Sequence, residues 1–218
     1  MDWVIYYQEV SGMNITHATN ETFEGESLSA IFNRQKELMD KYHDIELRSG
    51  LLQTSDCPVN LDDKRGQARI KDFSWRITEE IGEALDALNN EGGESGLLHF
   101  HEELIDGLHF LTEMTILTGI DVSNWTLNDL IGLSIDLPLN DLIADFIQVL
   151  GMMCNCLKNK PWKQTMMKTN KENFYQHLER VWRVYISILV SQGFTEEDIC
   201  EIYFKKSQVN KFRQRSNY

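Results

Sequence analysis

Two stretches of apolar residues at three- and four-residue steps, separated by Glu91-Gly-Gly-Glu-Ser-Gly96, constrain this chain more than any other feature. The first, over residues 72–90, carries Phe73, Ile77, Ile81, Ala84, Leu85 and Leu88. The second, over residues 97–118, carries Leu98, Leu104, Ile105, Leu108, Leu111 and Ile116. That period puts each set on one face of a helix. Adjacent glycines do not readily continue a helix, so the run between them reads as a short turn and the helices as an antiparallel pair.

The rest of the chain reads the same way. From Ser29, Ile31, Gln35, Leu38, Tyr42 and Ile45 share a helical face. Residues 49–71, with Gly50, Pro58, Asp62, Asp63 and Gly66, read as a long connection. A break at Pro138-Leu139-Asn140 precedes a helix over residues 141–157, and another over residues 173–191 closes at Gly193. Thr195-Glu-Glu-Asp198 has the form of an N-cap with an acidic residue three positions on, opening a last helix with Ile199, Ile202, Tyr203, Val209 and Phe212. Residues 1–28 are undefined; Trp3-Val-Ile-Tyr-Tyr7 is a short strand or a docking segment. With only three prolines in 218 residues and no convincing sheet pattern, the expected fold is an all-α helix bundle of five to seven helices, in one domain over residues 1–218.

Charge narrows the function. Lys plus Arg number 21 against 34 Asp plus Glu, a formal net charge of −13. Such a balance excludes a duplex grip driven by counterion release and adhesion to anionic membrane surfaces. An anionic small molecule is compatible only if positive charge is supplied locally. No run of about 18 apolar residues exists; the richest candidate, residues 137–156, is interrupted by Asn140, Asp141, Asp145 and Gln148. The chain starts without a basic and apolar leader, and Cys57, Cys154, Cys156 and Cys200 show no metal-binding or redox spacing. Reduced thiols in a cytoplasmic protein are expected. The segment of residues 158–171 holds five lysines and no acid; it reads as a solvated linker or as a basic flap near an anionic ligand.

The chemistry concentrates in Glu79-Glu80-Ile-Gly-Glu83 and Glu102-Glu103-Leu-Ile-Asp106. Glu80 and Glu83 are i and i+3, as are Glu103 and Asp106, so each pair projects from one helical face. On an antiparallel pair these faces meet. Four carboxylates at close quarters repel one another, and a hard divalent cation removes that penalty. An all-oxygen set suits Mg²⁺ or Mn²⁺; zinc favours His or Cys, which the facing positions do not offer. Near the C-terminus, Lys206, Asn210 and Arg213 stand at i, i+4 and i+7, with Tyr203 one turn earlier. An ammonium, an amide and a guanidinium on one face suit a pyrophosphate; the plainer reading is cations complementing a helix C-terminus.

These residues resemble a known family. Glu80-x-x-Glu83 followed by Glu103-x-x-Asp106 is similar to the signature of the all-α nucleoside triphosphate pyrophosphatases, and within them to the dimeric dUTPases and the related phage enzymes acting on dCTP and dUTP. Ser74-Trp75-Arg76, Glu103-Leu-Ile-Asp106-Gly-Leu-His109-Phe110, and Tyr203-x-x-Lys206-x-x-x-Asn210-x-Phe212-Arg213-Gln214-x-x-Asn217-Tyr218 carry the narrower likeness. The resemblance implies hydrolysis of dUTP or dCTP to the monophosphate and pyrophosphate, by a cytoplasmic homodimer. It implies Mg²⁺, with Mn²⁺ a substitute, on Glu80, Glu83, Glu103 and Asp106, Glu79 and Glu80 carrying the catalysis. Lys206, Asn210 and Arg213 would hold phosphates. Gln35, Trp75, His109 and Tyr203 would form the nucleoside side, with Trp75 alternatively a core aromatic and His109 a positioning hydrogen-bonder. Residues 120–190 correspond to an inserted, movable segment. Met39, Glu113 and Asn89-Asn-Glu-Gly-Gly depart from the family pattern near the base pocket and leave uracil against cytosine open. A broader nucleotide-housecleaning hydrolase and a non-enzymatic acidic helical partner protein are the competing readings.

Overall fold

The structure, a computed structural model, describes residues 27–160 and 162–215. The readings made for residues 1–26, and for Asn217 and Tyr218, lie outside the described residues. Among the described residues there are seven α-helices: α1 (Ser27–Ser49), α2 (Lys64–Asp86), α3 (Gly93–Thr118), α4 (Leu127–Gly132), α5 (Leu139–Cys156), α6 (Lys171–Ser191) and α7 (Glu196–Arg215). No strand occurs among the described residues, so the expected all-α class holds.

Helices α2 and α3 are the antiparallel pair. Ser74 Oγ lies 3.3 Å from Met114 Sδ, and the Phe73 and Phe110 rings meet at 6.1 Å. At the other end Glu80 faces Gly107 and Glu103. A π-helical turn over Ala87–Glu91 leads to Gly92 and Gly93 at φ 67° and 61°, left-handed values that glycine adopts without strain. Helix α2 begins at Lys64, eight residues before the expected start. Gly66 reads as a breaker, but the Asp63 side chain accepts from its N–H at 2.8 Å as an N-cap. A Cβ there would stand 2.2 Å from the Asn60 carbonyl oxygen, so Gly66 is a packing requirement.

Helices α5 and α6 form a second antiparallel pair, with Arg180 on Asp145 at 2.8 Å and the Phe146 and Tyr185 rings at 5.2 Å. Helix α6 is the central element; Val181, Trp182, Val184, Tyr185, Ile186, Ile188 and Leu189 are fully buried. Each such side chain contributes about 1.5–3 kcal/mol of burial, an upper figure. Trp182 Nε1 donates to Thr115 Oγ1 at 2.8 Å and its ring stacks on Phe32 at 5.7 Å, tying α6 to α3 and α1. Helices α1 and α7 run parallel, joined by Arg34 over the Phe204 ring and by Lys211 on Glu37. Thr195 Oγ1 accepts from Asp198 N–H, and Asp198 Oδ2 accepts from Thr195 N–H, the capping box expected at α7. One hydrophobic cluster runs from Leu28 to Val209 through α5 and α6, so the middle helices belong to the core that carries the acidic motifs.

Candidate functional site

Helical geometry selects which acids converge. Glu80, Glu103 and Asp106 each offer a carboxylate oxygen, all within 4.8 Å of one another. Burial is the largest cause pushing the Glu80 carboxyl up to about 9, reinforced by its hydrogen bond with Glu103 and the charges of Asp106, Glu103 and Glu83. Glu80 thus holds a proton at neutral pH that a cation would displace. Gly107, between the pair, has no side chain, and its absence admits the Tyr185 hydroxyl, which donates to the Leu104 carbonyl at 2.6 Å. Glu83 is exposed and stands outside the triad. Glu79, about 100° around the helix from Glu80, accepts from Trp75 Nε1 at 2.7 Å on the outer face.

The basic stripe meets this cluster at one point. Lys206 Nζ, with its side chain 5% exposed, binds Glu102 Oε1 at 2.5 Å and Asp106 Oδ2 at 2.6 Å. Burial alone would lower its ammonium, but Asp106 and Glu102 outweigh that and raise it. Burial also pushes Asp106 up, to about 6, against the pull of Lys206. Lys206 is therefore the counter-ion of the acidic motif in this structure. On the opposite side His99 bonds Glu91 at 2.6 Å and Glu103 at 2.9 Å. Burial disfavours the imidazolium, and those two carboxylates reverse the balance and raise it.

A cavity of about 500 Å³ opens beside the cluster, lined by Gln35, Tyr42, Arg76, Glu80, Asp106, His109, Glu113, Asn210 and Arg213 among others. Its inner wall is a closed network. Gln35 Oε1 accepts from His109 Nδ1 at 2.9 Å and from the Tyr203 hydroxyl at 2.7 Å, while Gln35 Nε2 donates to Glu113 Oε2 at 2.9 Å. The His109 and Tyr203 rings stack at 3.7 Å. Burial pushes His109 down to about 3, so it is neutral, and an amide oxygen facing its Nδ1 requires the proton there. Burial pushes Glu113 up to about 7, with Glu46 adding to it and Gln35 opposing.

The structure thus brings Gln35, Glu80, Asp106, His109, Asn210 and Arg213 to one cavity, with Glu103, Tyr203 and Lys206 directly behind its wall. Trp75 is neither core nor cavity wall: it is 62% exposed, because five residues from Glu80 it points about 140° away. None of the lysines of residues 158–171 lines the cavity. That segment is fastened to the start of α2 by Asn159 N–H on Gln67 Oε1 at 2.8 Å and Thr169 N–H on Asp62 Oδ1 at 2.9 Å. Sequence reasoning missed Arg76 and His99. Both stand four residues before a triad acid, Arg76 before Glu80 and His99 before Glu103, and that spacing was the available signal.

The donor set is chemically that of a hard divalent cation: three carboxylates whose mutual repulsion Lys206 offsets only at Asp106 and His99 only at Glu103, leaving Glu80 to be neutralised by a proton or a cation. A helical fold with acids converging from neighbouring helices, beside a polar cavity that Arg76 and Arg213 also line, has the make-up of a helical nucleotide hydrolase. The family model for dUTPase matches residues 27–218. The chain belongs to that family, the all-α dimeric dUTPases, whose activity is hydrolysis of dUTP. No curated protein and no solved structure matches it. Among the described residues no helix is long and apolar enough to cross a membrane, and the four cysteines are free.

Proposed function

We propose that this chain hydrolyses dUTP, dCTP or both to the deoxynucleoside monophosphate and pyrophosphate, with Mg²⁺ as cofactor and Mn²⁺ a substitute. The observation that carries this reading is the Glu80–Glu103–Asp106 triad, two of whose members, Glu80 and Asp106, line a 500 Å³ cavity that Asn210 and Arg213 also line. Those three carboxylates would hold the ion, with Glu83 one turn away. Bound there, the ion supplies charge neutralisation of the triphosphate and a water of lowered pKa. The chain's own contributions follow. Arg213 offers a bidentate fork and Asn210 a neutral donor to phosphate oxygens. Lys206, paired with Asp106 and Glu102, holds the acidic motif in place and becomes available to phosphate when a cation takes over its partners. Glu80 would hold the ion as a carboxylate, and its second oxygen could accept a proton from an attacking water. Glu79, bound to Trp75 on the outer face, has no part in this scheme.

His109 and Gln35, held from behind by Tyr203, would form a preorganised surface for the nucleoside. A homodimer is the working assembly that membership of the family suggests; sedimentation checks it. The direct test is pyrophosphate release from dUTP, dCTP and dTTP with Mg²⁺ and with chelator. Release from a pyrimidine deoxynucleotide that requires Mg²⁺, and falls at least about 10²-fold in Glu103→Gln, supports the reading. Full activity in chelator, or in Glu103→Gln, contradicts it.

A further inference from the structure

Glu103 has a partner that comes from the corner between α2 and α3. Gly96 lets the start of α3 close on the π-helical turn: a Cβ there would stand 2.7 Å from the Ala87 carbonyl oxygen and 3.3 Å from Glu91 Cβ. Gly96 and His99 are i and i+3 on α3, so the same approach brings Glu91 beside His99. Glu91 Oε1 meets His99 Nδ1 at 2.6 Å. One turn further along α3, His99 Nε2 meets Glu103 Oε1 at 2.9 Å. An ionised carboxylate only accepts, so both ring nitrogens donate.

The ring is thus pinned at both ends, by the corner on one side and by a member of the acidic triad on the other. Its contribution to stability is small, because His99 and Glu91 are 40% and 43% exposed and solvated ion pairs add little. Its contribution to orientation is larger. The Glu103 side chain is 11% exposed, and Lys206 is spent on Glu102 and Asp106. His99 is therefore what holds the Glu103 carboxylate where it meets Glu80 and Asp106. The Glu91 charge offsets that of the imidazolium, so the dyad brings little net charge to the triad.

We propose, resting on the cation-site reading above, that His99 braced by Glu91 is the positioning residue of Glu103, fixing that carboxylate for the divalent ion. Outer partners of metal ligands typically contribute about 10–100-fold in affinity or activity.

The test is calorimetric Mn²⁺ binding, without nucleotide, to the native chain, His99→Ala and His99→Gln. The glutamine amide nitrogen has the reach of imidazole Nε2, so it keeps the donor to Glu103 and gives up the brace. Positioning predicts binding weakened about tenfold in His99→Ala, the low end of the range because His99 is partly exposed, and recovered at least about threefold in His99→Gln. Charge alone predicts the opposite sign, since removing a cation beside the site tightens Mn²⁺ binding. Metal-free melting within about 4 °C of the native chain separates loss of position from loss of fold. Unchanged or tighter binding in His99→Ala, or no recovery in His99→Gln, overturns the proposal and leaves the cation site standing. No Mn²⁺ binding by the native chain overturns both. If Mn²⁺ binds and neither dUTP nor dCTP is hydrolysed, the pyrophosphatase reading falls, and the three affinities still decide the role of His99.

Discussion

Replacing Gly107 with alanine probes the joint that holds the acidic helices together. The new Cβ would stand 2.2 Å from the Tyr185 hydroxyl oxygen and 3.2 Å from Tyr185 Cζ, and Tyr185 is fully buried. Overpacking of this kind costs about 1–3 kcal/mol. Moving the ring also breaks the 2.6 Å bond to the Leu104 carbonyl and strands a buried hydroxyl, about 1–3 kcal/mol more. The two overlap, so a loss of roughly 2–4 kcal/mol is expected, a fall in Tm of about 5–15 °C for a chain of this size. Thermal and urea unfolding measure it. Tyr185→Phe alone loses one hydrogen bond, about 1 kcal/mol, and removes the clashing atom. The double variant should therefore be more stable than the sum of the single effects predicts, by about 1 kcal/mol or more. A Gly107→Ala chain that melts within about 2 °C of the native one, or effects that simply add, would refute the close-approach argument.

Other perturbations give separate checks. Lys206→Met leaves Asp106 and Glu102 without their buried counter-ion and should destabilise the metal-free chain by roughly 3 kcal/mol, with part of the loss recovered by Mg²⁺ in the melt. Burial raises the Glu113 carboxyl to about 7 in the folded chain, so the native state binds the proton more tightly than the unfolded one. Its stabilising contribution is full below the unfolded carboxyl pKa and is lost as pH rises through about 7. Glu113→Gln should accordingly flatten the decline in metal-free stability between pH 5 and pH 8, by about 1–3 kcal/mol across that window. Trp75→Ala, on an exposed face, should change stability by less than about 0.5 kcal/mol and leave KM unaltered in steady-state assays.

Local chemistry explains what was legible in the sequence. The antiparallel α2–α3 pair follows from two uninterrupted apolar stripes and the Gly92-Gly93 corner, and the α7 start from the Thr195–Asp198 box. The convergence of Glu80, Glu103 and Asp106 follows from helical spacing on that pair. What was hidden depends on contacts remote in sequence. Gly66 continues a helix because Asn60 packs where its side chain would be. That Glu79 and Trp75 face outward follows once Glu80 is placed against Gly107 and Glu103, a contact between helices that spacing within one helix does not fix. Glu113 stands out in sequence only as a departure from the family pattern. Its place in the cavity wall depends on its hydrogen bond with Gln35, 78 positions away.

The central claim is that three acids from two neighbouring helices form a single cation site. Mn²⁺ binding followed by electron paramagnetic resonance addresses it directly, in the native chain and in Glu80→Gln, Glu103→Gln, Asp106→Asn and Glu79→Gln. The account predicts saturable binding by the native chain, weakened at least about tenfold by each of the first three changes and unaffected by Glu79→Gln. No saturable binding by the native chain, or a loss in Glu79→Gln as large as that in Glu80→Gln, would contradict it.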